Sequence, residues 1–188
     1  MQRAPRRNMD TIGIHGIITI HEIPEWTDEE LAYWWSRMSD EAKAQRQVKE
    51  PVHNLLTNTG VNLFLANNSK ASQGSMFPWS QILSVGNGAF TGASRELIAV
   101  SGDGFASGSR KVPASDSQIG FQSTLVFNFG TGDAVGTWTN AGLYGYKTST
   151  AQDATTTAGT GALMTIAAYP FVKGSVAYAV QYVLTLQN

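Results

Sequence analysis

The chain of 188 residues has no cysteine. That excludes disulfides, thiolate nucleophiles and Cys-based zinc sites. Charge is scarce: Asp, Glu, Lys and Arg make up 14% of the chain, against about 25% in an average soluble domain. Neither sign dominates, and the net charge is −1. Bulk electrostatics therefore point to neither nucleic acid nor an anionic membrane as partner. No apolar run approaches the roughly 18 residues of a membrane-spanning helix. The first residues carry Arg3, Arg6 and Arg7 without an adjoining apolar stretch, so a secretory signal is not expected there.

Catalytic patterns are equally sparse. Gly86, Gly88 and Gly92 follow a short apolar run, as in a dinucleotide-binding loop. The spacing is one residue too long, and the next segment reads as a strand instead of a helix, so a β-turn is expected. The stretch GDGFASGSRK lacks the Gly-Lys-Ser/Thr ending of a P-loop. His15 and His21 lie about 20 Å apart on an extended strand, too far to chelate one ion, and His53 is isolated. No serine sits in G-x-S-x-G. A pair of carboxylates could meet in space as in a glycosidase, but nothing singles one out, and Asp103 in SGDG reads as a turn. No catalytic residue, cofactor or metal is expected.

What is present is a pattern of strands with one charged helical segment. Sixteen of the 27 charged side chains fall within residues 1–50. Residues 1–11 read as a basic arm, and residues 12–188 as one domain. Residues 12–23 alternate with period 2, as a half-buried strand does. Residues 26–48 read as an amphipathic helix, with Thr27 and Glu30 as a capping box, Trp26 and Leu31 as a hydrophobic staple, and Pro51 as a stop. Its stripe of Leu31, Trp34, Trp35, Met38 and Ala42 suits packing on the body. The adjacent Trp34 and Trp35 cover more than one face, so one can reach another subunit. A second, shorter helix begins near residue 57 and ends at 67–68.

From residue 77 onward the reading is β. Strands are expected at 82–85, 97–100, 119–129, through AVGTWTNAGLYGY, at LMTIAAYPF and over 176–186. Together these suggest an antiparallel β-sandwich with two helices. Trp79, Trp138, Tyr144 and Tyr146 are aromatic residues that could stack on sugar rings if exposed, with core packing as the alternative.

The order of segments resembles a group of small virion proteins of tailed bacteriophages. The likeness rests on NLLTNTG at 54–60, ILSVGNG at 82–88, TNAGLYG with its Gly-Leu-Tyr-Gly ending, and the apolar strand 176–186. It covers residues 12–23 and 52–188. The charged, Trp-rich segment 26–48 departs from the pattern as an insertion. The resemblance implies a structural role in the virion: a homo-oligomeric subunit of the tail or neck, or a capsid decoration protein. Its partners would be copies of itself and other virion proteins, not membrane. Nucleic acid is not expected, the basic arm being the one segment suited to it. Arg3, Arg6, Arg7, Trp34 and Trp35 are the expected interface residues. A carbohydrate-binding module of a tail, using Trp138, Tyr144 and Tyr146, is the competing class, and a β-sandwich hydrolase a third.

Overall fold

The computed structural model describes residues 13–24, 26–68, 81–120, 122–145 and 155–187. The elements run β1 (Gly13–Glu22), α1 (Asp28–Trp35), α2 (Asp40–Gln45), β2 (Val52–Leu56), α3 (Asn58–Asn68), β3 (Ile82–Gly86) and β4 (Arg110–Lys111). Then follow β5 (Ser115–Ile119), β6 (Gln122–Phe129), β7 (Gly136–Gly145), β8 (Ala162–Lys173) and β9 (Tyr178–Gln187). The fold is mainly β, and every strand pairing among the described residues is antiparallel.

The strands form one sheet in the order β4-β3-β7-β8-β2-β1-β9-β6-β5, where the sequence pattern predicts two packed sheets. Alternation shows that a strand has one buried face; it does not show what buries it. The two edge strands, β4 and β5, are separated by only residues 112–114. Such a link spans at most about 14 Å, so the sheet must curl until its edges approach. The wings then face each other across a common core. Ile18 and Ile20 of β1, Phe127 and Phe129 of β6, Trp138 of β7, Tyr169 of β8 and Tyr182 of β9 are all fully buried there. Across the core the Phe129 and Trp138 rings lie 5.1 Å apart.

The turning point is β2. Its residues 52–54 pair with β1, while Leu55 and Leu56 pair with β8. A buried polar junction accompanies this change of partner. The Asn54 amide donates to the Tyr182 hydroxyl, which also shares a hydrogen bond with Thr165. One phenol thereby ties β9 to β2 and β8. Gly16 leaves room for the amide, since a Cβ there would lie 2.2 Å from its atoms. Thr57, fully buried, continues the junction. Its hydroxyl accepts from the Gly60 N–H at 2.9 Å, capping α3, and donates to the Leu163 carbonyl at 2.6 Å. A Cβ at Gly60 would sit 2.2 Å from the Met164 carbonyl oxygen. The stretch 54–60 is thus a corner, in which Asn54 with Gly16 and Thr57 with Gly60 serve a close approach of strands.

The helical expectation for 26–48 is corrected. The capping box is there: the Thr27 N–H donates to Glu30 Oε2 at 3.0 Å and the Glu30 N–H to Thr27 Oγ1 at 3.2 Å. The helix stops after one short run, however, and α2 starts anew. Ser39 is a second N-cap, accepting from the Ala42 N–H at 3.2 Å, with Asp40 and Glu41 in its first turn. This SDE start signal competes with a continuous helix. After α2 the chain bonds to β1, through Arg46 O to the Glu22 N–H and the Val48 N–H to Ile20 O. The second expected helix matches α3.

Two strand expectations also change. Residues 119–129 are not one strand, because Gly120 at φ +57° turns the chain between β5 and β6. Residues 97–100 form no strand. The backbone there is held by a side chain: the Asn140 amide accepts from Ser101 N–H and donates to Ser101 O, both at 2.9 Å. Gly86 and Gly88 serve this loop by close approach. A Cβ on Gly86 would lie 2.1 Å from Ser101 O, and one on Gly88 2.3 Å from Ser101 Oγ.

Tyr182→Phe leaves Asn54 and Thr165 without their shared partner and should cost about 1–3 kcal/mol. Gly132→Ala, where an added Cβ meets open space, should cost less than about 0.5 kcal/mol. Urea unfolding of the two variants beside the parent chain tests the contrast.

Candidate interaction surface

Adjacent helical residues point about 100° apart, and α1 uses this to divide its tryptophans. Trp35 is 4% exposed. With Leu31 it packs on Ile23, Val126, Ala177 and Ala179, on the outer face of β6 and β9. The expectation that Trp35 meets another subunit is therefore corrected: it belongs to the chain's own core. Trp34 is 50% exposed and Tyr33 is 52% exposed. Their rings meet edge to face at 5.3 Å. The Arg37 guanidinium stacks 3.7 Å from the Tyr33 ring centroid and donates to the Tyr33 carbonyl at 3.0 Å. Tyr33, Trp34 and Arg37 thus form an ordered solvent-facing patch of the residue types that dominate binding hot spots. Sequence reading singled out Trp34 but missed Tyr33 and Arg37; their i, i+4 spacing was the available signal.

Two side chains of the sheet, Asn128 and His21, help hold the segment of α1 and α2 in place. Asn128 of β6 donates to the Trp26 carbonyl and to Asp28 Oδ1, each at 3.0 Å. His21 of β1 lies edge-on to Trp35 at 5.0 Å. Its Nδ1 is 2.9 Å from the Lys43 carbonyl and its Nε2 3.0 Å from Thr19 Oγ1. A carbonyl only accepts, so Nδ1 carries the proton and Nε2 can accept from Thr19. Burial holds the His21 pKa below the ordinary histidine range; the bond to Lys43 O opposes this, and the Lys43 charge adds to it.

The other expected residues fall elsewhere. Trp138 is fully buried, donating to Ala134 O at 2.7 Å, and Tyr144 is 2% exposed. Stacking on a sugar needs an open ring face, so the glycan-binding expectation for these two is corrected. Tyr144 instead accepts from the Val100 N–H at 2.8 Å and lies under the Arg110 guanidinium at 4.3 Å. Arg3, Arg6, Arg7, Trp79 and Tyr146 lie outside the described residues.

A polar cluster surrounds the buried Arg110. It pairs with Asp103 at 2.6 Å and donates to the Thr155 and Thr160 carbonyls. Asp103 also accepts from Ser84 Oγ at 2.6 Å and the Gly159 N–H at 3.0 Å. These bonds stay within the chain and fasten two loops to β3. Among the described residues no three His, Asp or Glu side chains are placed to share a metal ion, and no helix is long and apolar enough to cross a membrane.

Trp35→Ala should cost about 3–5 kcal/mol, while Trp34→Ala should stay within about 0.5 kcal/mol; denaturant unfolding measures both. For His21, the unfolded state binds the proton more tightly than the folded state. Its contribution is therefore present above about pH 6.5 and is lost as pH falls through the lower folded value. The slope is at most about 1.4 kcal/mol per pH unit. His21→Gln should flatten the stability profile between neutral and mildly acidic pH, measured by urea titration at each pH.

Comparison with family models, curated proteins and solved structures finds no match to this chain.

Proposed function

We propose that this chain is a non-enzymatic structural subunit of a tailed-bacteriophage virion, assembling with copies of itself and with other virion proteins in the tail or neck. The observation that carries the reading is the ordered Tyr33, Trp34 and Arg37 patch. It lies in the segment that departs from the family pattern, and it holds half of each large ring in water. Clustered Tyr, Trp and Arg side chains facing solvent have the composition of protein-binding hot spots.

Further support comes from the segments that carry the resemblance. Residues 54–60 act as a strand corner, residues 82–88 as a strand with a close loop approach, and Gly142 as a tight site where a Cβ would lie 2.7 Å from Leu163. These are demands of architecture rather than of chemistry. In this reading the two facing wings play the part of the layers of a β-sandwich, and the basic arm with Arg3, Arg6 and Arg7 is a docking element.

The test is quantitative mass spectrometry of purified particles from the source. Many copies per particle are expected, and cryo-electron microscopy would then separate tail or neck from capsid surface. Absence from particles overturns the reading. Deletion of residues 1–10 should lower incorporation while the isolated domain keeps its unfolding midpoint.

A further inference from the structure

We infer that the outer face of α1 is a self-complementary contact between two copies of this chain, packed antiparallel across a two-fold axis. This deepens the assembly reading and rests on it.

The inference starts from where charge sits on the helix. Leu31 and Trp35 define the buried side. Glu29, Glu30, Tyr33 and Arg37 occupy the opposite side, all exposed. The first turn is acidic, through Asp28, Glu29 and Glu30, with no basic residue in the last helical turn. The cation arrives just beyond the helix end, as Arg37. A second α1 laid antiparallel therefore brings each acidic end against a guanidinium.

The register is specific. With the axis between residues 33 and 34, Tyr33 faces the partner's Trp34, and Glu30 faces the partner's Arg37. Each charged residue then lies about 5 Å along the helix from the axis. Both charged groups are held ready. Glu30 receives the Thr27 N–H and hydroxyl on Oε2, leaving Oε1 toward a partner. Arg37 is fixed by its stacking on Tyr33, with one guanidinium bond, to the Tyr33 carbonyl. Guanidinium has five donors in all and favours paired bonds to carboxylates. A parallel arrangement would set acid against acid.

One short helix face buries less than the about 800 Å² per partner of a standard interface. The contact is weak alone and gains strength where several copies are held together.

Sedimentation equilibrium of the purified full chain, carried to millimolar concentration at low salt, tests this. The parent chain should form dimers. Arg37→Glu should weaken dimerisation at least tenfold by setting acid against acid. Glu30→Arg should weaken it too, though it also removes half of the capping box. The deciding arm is an equimolar mixture of the two variants, in which every contact regains opposite charges. Heterodimers should return to near-parental affinity, which a merely damaged helix would not allow. A monomeric parent chain, Arg37→Glu dimerising like the parent, or a mixture no tighter than its components would each overturn the inference. If the chain is found in particles but fails here, α1 faces a different virion protein and the structural reading stands. Dimerisation by a chain missing from particles would separate the two in the other direction.

Discussion

The fold turns on one strand that changes partner. Residues 52–54 of β2 continue the sheet from β1, and the next two residues begin the other wing on β8. Without that change the sheet would stay open and its apolar faces would lie in water. The Tyr182 hydroxyl makes the change specific by bonding both Asn54 and Thr165. Leaving the Tyr182 hydroxyl unpaired would carry a desolvation cost, and in this register two strands supply its partners, whereas the buried Tyr169 hydroxyl has none. A slip by one residue would strand those groups and turn each strand's apolar set outward.

The same logic governs the rest of the interior. Charge is rare in this chain, yet among the described residues Lys173 and Arg110 are buried, each with bonds that answer it. Lys173, 1% exposed, donates to the carbonyls of Gly130, Gly174 and Val176 at 2.8–3.1 Å. Arg110 and Asp103 do similar work for the loops that cover the outer face of β3 and β7. The covering loop has few backbone partners, so side chains such as Asn140 stand in for a neighbouring strand. The two outer faces are thus closed by different means: α1 on β6 and β9, and irregular chain on the other wing.

The proposed function rests on what remains outside. Most of the inward polar groups bond to other groups of the same chain, while α1 turns an aromatic and charged face to solvent. That division fits a protein that works by packing against copies and neighbours, which is the role proposed. It also explains why neighbouring tryptophans have separate fates: a helix bound to a sheet on one side must present its other side to something else.

Local signals were legible because the interactions behind them span few residues. The Thr27 capping box, the start of α3 at Thr57, and the alternation of β1 and β9 all involve neighbours within a turn or a strand pleat. The break before Ser39 was also written locally, but the apolar stripe running across it gave the stronger pattern. The β5–β6 turn at Gly120 was hidden by alternation that happened to continue through it. The candidate surface was half legible: tryptophan at 34 and 35 marked the helix, but only the sheet beneath it decided which ring is buried. By itself the sequence determined the strand-rich class, the caps and which residues could share a face. The tertiary structure alone decided the single curled sheet, the partner change in β2 and which rings of α1 are exposed. Contacts such as Asn54 with Tyr182, 128 residues apart, leave no periodic trace in the chain, because their geometry exists only after the wings have closed.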